Sequence, residues 1–257
     1  MRIVVAVKHV PDVQSDRSIE DGHIARGADD VLNELDENAV EAAVSLAEEL
    51  GGSVVALAMG PDDAEDALRR ALQMGADEAV HVLDDALAAA DVPVTARVLA
   101  AAVKVIAEEA PVDLVVTGMG TMDGLTSMLP GALAEALGLP ALTLAAEVAC
   151  DGQSLTITRT IGGAREKLRA PLPALLSVTD QANEPRIPNF KSMMAAKKKP
   201  IQVLELADLE LGPQDVTPST AVIAAAARTA REAGIVVTDT GQSGAQLVAW
   251  LKERKLV

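Results

Sequence analysis

VVALAMGPDDAEDALRRALQMGADEAVHVL, Val54 to Leu83, decides the fold. Val54 to Ala58 is a continuous apolar run, as a strand covered on both faces requires. Gly60-Pro61 then opens a helix whose first turn carries Asp62 and Asp63, favourable to the helix dipole, and Gly75 closes it. Ala79 to Leu83 is apolar again, so the stretch is a strand, a helix and a second strand, long enough for a right-handed βαβ crossover.

The same alternation extends on both sides. Upstream, Ile3 to Val7 is a first strand, and a helix begins near Asp36, with Ala39, Val40, Ala43, Ala47 and Leu50 at three- and four-residue spacing before Gly51-Gly52. Downstream, Thr95 to Glu109 is a third helix and Asp113 to Thr117 a fourth strand. After Pro140 the pattern shortens: Leu142 to Val148, Leu155 to Arg159, Glu166 to Arg169 and Ala174 to Val178 are strand candidates joined by turns such as Asp151-Gly152 and Gly162-Gly163. They read as antiparallel additions at a sheet edge. Residues 201 to 219 are partly extended and interrupted by proline, either a linker or an arm laid on a neighbouring subunit. Two helices are expected to follow, Thr220 to Ala233 and Gln242 to Lys255, the second carrying Trp250 as a packing residue. The expected fold is α/β: a three-layer, parallel-sheet, adenine-nucleotide-binding core with antiparallel edge additions and a C-terminal arm.

Composition narrows the partners. Lys and Arg total 22 against 38 Asp and Glu, a net charge of −16, so counterion release cannot drive nucleic-acid binding. No apolar run approaches the ~20 residues of a membrane span. MRIVVAVKHV resembles a first strand more than a signal peptide, and Cys150 is the single cysteine; both favour a cytoplasmic protein.

In an open parallel sheet, ligands bind outside the carboxyl ends of the strands. GMGTMDGLTS, Gly118 to Ser127, occupies such a place, between a strand and a helical pattern whose first turn suits Pro130. Its glycines allow close backbone approach, and Thr126 and Ser127 with helix-start N–H groups suit a phosphate. A plain βα turn is the competing reading, and the G-x-x-x-x-G-K-[ST] of a Walker NTPase is absent. His9, His23 and His81 show no metal-ligand spacing, His81 sits in a strand pattern as a structural histidine, and Cys150 reads as a small hydrophobe. No catalytic constellation emerges, which favours a binder or carrier over a self-sufficient enzyme.

NEPRIPNFKSMMAAKKKP, Asn183 to Pro200, holds the only phenylalanine, Phe190, followed by Met193, Met194 and Lys197 to Lys199. A large apolar residue in a proline-bounded polar segment is either an exposed anchor for another protein or a side chain folded back onto its own domain.

VAVKHVPD, LNELDENAVEAA, ALAMGPDDAEDALRRALQMGADEAVHV and NEPRIPNFKSMMAAKKKPI together resemble the β subunit of electron transfer flavoprotein, over almost the whole chain. The resemblance implies a heterodimer with an α subunit that holds most of the redox FAD. It implies a structural AMP in the β subunit, with electrons passing from acyl-CoA and related dehydrogenases, as in fatty acid β-oxidation, to a membrane quinone oxidoreductase. The family's AMP pocket falls on Ala6, Asn33 to Asp36 with Leu35 among them, Met59, and the loop from Gly118 through Gly120, Asp123, Thr126 and Ser127 to about Leu129. Its dehydrogenase-recognition loop falls on residues 183 to 200, with Phe190 at the apolar anchor and Met193, Met194 and Lys197 beside it. Residues 1 to 200 are then the nucleotide-binding core, and 201 to 257 an arm with helices that pack on the α subunit. Three departures stand out. DGLTSMLPG replaces the acidic and amide run of the common phosphate loop, Gly162 replaces a usual acidic residue, and aliphatic Val13 and Leu35 face the flavin where some relatives carry aromatics. The spacing of Asp123, Gly124 and Thr126 is nearer to electron-bifurcating relatives, so the alternative expectation is a second FAD in place of AMP.

Overall fold

The computed structural model describes residues 1–257 apart from 17, 21, 28, 230, 232 and 240. The chain divides into two units, Met1–Ala225 and Ala226–Val257. The first half of the larger unit runs β1 (Arg2–Ala6), β2 (His9–Pro11), β3 (Ile19–Glu20), β4 (His23–Ile24), β5 (Asp30–Leu32), α1 (Glu34–Leu50), β6 (Ser53–Met59), α2 (Glu65–Met74), β7 (Glu78–Val82) and α3 (Val92–Glu109). It continues with β8 (Leu114–Gly118), α4 (Leu129–Leu137), β9 (Ala141–Ala145), β10 (Glu147–Cys150), β11 (Ser154–Ile161), β12 (Ala164–Pro171), β13 (Ala174–Val178), α5 (Phe190–Ala196) and β14 (Ile201–Leu204).

Seven strands form one sheet in the order β14-β7-β6-β1-β8-β13-β9. Every neighbouring pair is parallel. β1 lies in the middle, the chain moves outward through β6 and β7, and it returns to β8 on the other side of β1. The order therefore reverses between β1 and β8, which sets a crevice at their carboxyl ends.

Side chains of a strand alternate between faces, so β1 feeds two cores. Ile3 and Val5 pack with Ala39, Val40 and Leu68 of α1 and α2. Val4 packs with Val98, Leu99 and Leu133 of α3 and α4 on the opposite face. All five residues of β1 are buried, the reason its run from Ile3 to Ala6 is apolar without alternation.

The expected three-layer α/β class is the one found, with differences in the second half. β9 and β13 are parallel members of the main sheet, and only β10, β11 and β12 form the separate antiparallel sheet. Ala174 to Val178 is buried at every position, as a strand sandwiched between layers must be. In β11, by contrast, Leu155 and Ile157 are buried while Thr156 and Thr158, which alternate with them, are half-buried. Arg159 joins the two sheets, its Nε donating to Glu166 at 2.8 Å and its Nη1 to Thr143 O at 3.2 Å. Ile201–Leu204, read from the sequence as extended without a partner, pairs with β7 and lies inside the larger unit.

The alanine-rich stretch expected as a helix from Thr220 to Ala233 has no helical residue among those described; 230 and 232 lie outside them. Ile223 is 97% exposed there, and a helix with no surface to pack on lacks its main source of stability. In the smaller unit, α6 (Ser243–Glu253) contains no buried residue. Trp250, expected to pack its helix, is 39% exposed and meets the Arg254 guanidinium 4.3 Å from its ring centre. Among the described residues no helix is long and apolar enough to cross a membrane.

Candidate functional site

At the switch point, the chain leaving β1 meets the start of α1 and the loop after β8. Asn33 organises this junction. It is 0% exposed, its Nδ2 donates to Gly120 O at 3.0 Å, and its Oδ1 accepts the Met122 N–H at 3.0 Å. Asn33 occupies the N-cap position of α1 but makes no capping hydrogen bond, because its side chain holds the glycine loop instead.

One turn on, Asp36 is buried and its Oδ2 accepts the Lys8 N–H at 2.9 Å. Burial pushes its carboxyl up to about 7, against hydrogen bonds from Asn33, Lys8 and the Gly118 N–H. Gly118 has no room for a side chain: a Cβ there would lie 2.5 Å from Asp36 Oδ1 and 2.8 Å from the Leu35 carbonyl oxygen. At Gly120 a Cβ would meet Ser127 Oγ at 2.9 Å.

The loop is closed electrostatically at Asp123. Lys8 Nζ reaches its Oδ2 at 2.7 Å and Arg26 Nη2 at 3.1 Å. Burial alone would raise this carboxyl, but Lys8 and then Arg26 hold it below the usual carboxylate range. Beyond Asp123 the chain opens to solvent. Leu125 and Ser127 adopt left-handed backbone (φ 50 and 51), and Leu125, Thr126, Ser127 and Met128 are all exposed. α4 starts after Met128 without a side-chain cap, and Thr117 Oγ1 at the end of β8 is buried without a hydrogen-bond partner among the described residues.

These features fit a nucleotide phosphate: uncapped helix-start N–H groups, two exposed hydroxyls and glycines that admit close approach. Of the residues singled out from the sequence, Asn33, Leu35, Asp36, Gly118, Gly120, Asp123 and Ser127 meet in this one constellation. Ala6 is buried at the carboxyl end of β1, and Met59 is half-buried at that of β6. Thr126 is on the open side of the loop, touching none of the others through a side-chain hydrogen bond. Lys8, Arg26 and Thr117 were not singled out. Lys8 and Thr117 flank strand ends that were, whereas nothing local marks Arg26, which folds back from the hairpin of β3 and β4 and donates to His9 O at 2.6 Å. A surface depression bordered by Arg2, Glu78, Glu109 and Asp113 lies at the opposite, amino ends of the strands. There Arg2 is paired with Glu109 at 2.7 Å and Glu78 at 3.3 Å.

A second feature is built from residues 183 to 200. Asn38 and Asn183 bond reciprocally, each Nδ2 donating to the other's carbonyl at 3.0 Å. Arg186 Nε donates to Glu41 at 2.7 Å and its Nη1 to Glu48 at 2.7 Å. Glu48 and then Glu41 raise the guanidinium above its ordinary value, and Arg186 holds Glu41 below its own despite burial. At the far end Lys199 Nζ donates to Ala76 O at 2.6 Å, and Arg69 Nη1 to Lys199 O at 2.6 Å. Between these anchors α5 begins with a capping box of Asn189 and Ser192, and only Ala196 is buried. Ile187, Phe190, Met193 and Met194 are exposed, Phe190 by 79%, and Lys197 is exposed beside them. Of the two readings of Phe190, the structure has the exposed one.

His81 Nε2 lies 3.0 Å from Gly60 O, the structural contact expected of it, and Cys150 is half-buried against the core.

The electron transfer flavoprotein domain model matches residues 21–209. The electron transfer flavoprotein subunit beta of Mycobacterium tuberculosis (strain ATCC 25618 / H37Rv) is 40% identical over 266 aligned positions covering 99% of each chain. That of Bacillus subtilis (strain 168) is 33% identical over 260, covering all of both. The caffeyl-CoA reductase-Etf complex subunit CarD of Acetobacterium woodii is 32% identical over 266, again covering both fully. With full-length relatives of this kind and a matching domain model over most of its length, the chain belongs to the electron transfer flavoprotein family, among its beta subunits.

Proposed function

We propose that this chain is the β subunit of a heterodimeric electron carrier that binds AMP at the loop of residues 118 to 129 and docks its electron donors through α5. The observation that carries the reading is the segment 183 to 200. It is fixed to α1 and α2 at both ends by Arg186, Asn183 and Lys199, yet presents Phe190, Met193 and Met194 to solvent. A rigid backbone with flexible apolar side chains suits a surface that must accept several partners, because the ordering cost is already met and methionine adapts its shape.

Phe190 is the anchor, Met193 and Met194 flank it, and Lys197 meets acidic residues at the rim of the donor. The donors are acyl-CoA-type dehydrogenases and the acceptor a membrane quinone oxidoreductase, with the chain working in the cytoplasm. The α subunit holds most of the FAD, which supplies the one- and two-electron chemistry when bound. This chain's residues position and recognise. Asn33, Asp36 and Gly118 hold the loop that surrounds the AMP phosphate with N–H groups and the hydroxyls of Thr126 and Ser127. Ala6, Leu35 and Met59 border the nucleoside. Ile235, Val236, Leu247, Val248 and Leu256, all exposed in the smaller unit, support its role as an arm covered by the α subunit.

The experiment is steady-state reduction of the purified heterodimer by a dehydrogenase with Phe190→Ala. A loss of about 30-fold or more in kcat/KM, at unchanged flavin content, is expected for the deletion of a central anchor. Unchanged kinetics would remove the docking role.

A further inference from the structure

We propose that His9, Asp30 and Asp63 form a binding site for a divalent transition-metal ion, with Zn2+ the best match to the donor set. The three residues come from separate elements: β2, β5 and the short turn of residues 62 to 64 that follows β6. In sequence they are tens of residues apart, so no ligand motif marks them. In space one donor atom from each lies within 4.8 Å of the others.

The histidine and Asp30 make this more than a group of acids. The His9 side chain is 5% exposed, and both its ring nitrogens are buried without a hydrogen-bond partner among the described residues. Asp30 is 3% exposed at its side chain, and its Oδ2 is likewise buried without one among the described residues. Asp30 Oδ1 accepts the Gly27 N–H, so one imidazole and one carboxylate oxygen remain buried and unpaired among the described residues, an uncommon arrangement that calls for an occupant. His9 Nδ1 is 3.9 Å from Asp63 Oδ1, and the Asp63 side chain is 48% exposed, free to swing inward. Tetrahedral Zn2+ with bonds of about 2.0–2.2 Å places its donors roughly 3.3–3.6 Å apart, a short closure from the present spacing.

One imidazole and two carboxylates leave a fourth position on the solvent side of Asp63. A nitrogen donor favours Zn2+ over Mg2+ or Ca2+, which take oxygen sets of higher number. Arg26 is the cation that faces the cluster, with Nη1 3.7 Å from Asp30 Oδ2. Its shorter bonds go to His9 O and Asp123, which hold it away from the donors. Such an ion would tie the connection after β1 to the connection after β6. None of its three ligands belongs to the glycine loop or to the α5 face, so the inference stands apart from the reading above.

The test is metal content. The tag-free chain, co-purified with its flavin-bearing partner and stripped with a chelator, is dialysed against Zn2+ and the metal counted by atomic emission. Wild type is compared with His9→Gln and Asp63→Asn. One more Zn2+ in wild type than in His9→Gln, with affinity at least about tenfold weaker in Asp63→Asn, supports the site. No Zn2+ in wild type, equal Zn2+ in wild type and His9→Gln, or full affinity in Asp63→Asn overturns it. Asp63→Asn keeps the test open if the buried His9 variant does not fold, since its side chain is half in solvent.

Discussion

Gly118 and Asp36 are in such close approach that one methyl group on the glycine would sit 2.5 Å from the Asp36 carboxylate. The contact fixes how the end of β8 meets the start of α1, and the loop that follows inherits its position from it. Because the Leu35 carbonyl is also within 2.8 Å of that methyl position, backbone as well as side chain opposes any substitution. Gly118→Ala is expected to destabilise the chain by about 1–3 kcal/mol and to release nucleotide. Urea unfolding with nucleotide analysis of the purified protein measures both; a variant as stable as wild type, with full nucleotide content, would contradict the packing argument.

Asp36 also makes a pH prediction. Its carboxyl is raised in the folded chain from the ordinary 3.8 to about 7, so the folded state holds this proton more tightly than the unfolded state. The folded state therefore loses stability as pH rises between those two values, by an amount on the order of a few kcal/mol, and the loss levels off above them. Asp36→Asn keeps an acceptor oxygen for the Lys8 N–H and removes the titration. The difference in unfolding free energy between wild type and Asp36→Asn should change across that window and be flat above it; a difference independent of pH would show that Asp36 ionises freely.

Arg186 fixes the segment of residues 183 to 189 to α1, where Glu41 is only 11% exposed at its side chain. Arg186→Ala leaves that carboxylate without its main partner and frees residues 183 to 189. A cost of about 1–3 kcal/mol is expected, with faster proteolysis within the segment. Limited proteolysis followed by mass spectrometry reads the second effect, and a cleavage pattern identical to wild type would argue that Asn183 and Lys199 hold the segment alone.

Asp91 caps α3 by accepting the Val94 N–H at 3.1 Å, and its other oxygen accepts the Ser219 and Thr220 N–H groups at 2.8 and 3.0 Å. These hydrogen bonds, the Ser219 hydroxyl first, hold its carboxyl well below the usual range. Asp91→Ala should raise hydrogen exchange at residues 217 to 220 and in the first turn of α3 together. Exchange altered in the helix alone would show that the chain after Val216 is held by other contacts.

The centre of the parallel sheet was legible because β1, β6 and β8 are each built on a short apolar run, and Val54 to Ala58 differs from the observed Ser53–Met59 by one residue at each end. Ala174 to Val178 was visible as a strand but not as a parallel one, since direction depends on β8, about sixty residues earlier, which no local pattern encodes. Ile201 to Leu204 was missed as a sheet member for the same reason: its partner is β7. The alanine-rich segment after Thr220 misled because helix propensity there has no packing surface to act with. Strand ends and glycines pointed to residues that the structure brings together at one junction, and Phe190 was conspicuous by composition. What stayed hidden was the wiring between distant residues: Arg26 to Asp123, Asn38 to Asn183, and the approach of His9, Asp30 and Asp63.

The central claim, an electron-carrier β subunit with a structural nucleotide, is tested most directly by cofactor content. The chain is co-expressed with its α subunit, the complex is purified, and FAD and AMP released on denaturation are counted per heterodimer. The account predicts one FAD and one AMP. Two FAD and no AMP would contradict it and assign the loop to a second flavin, while no complex and no flavin would contradict the carrier role itself.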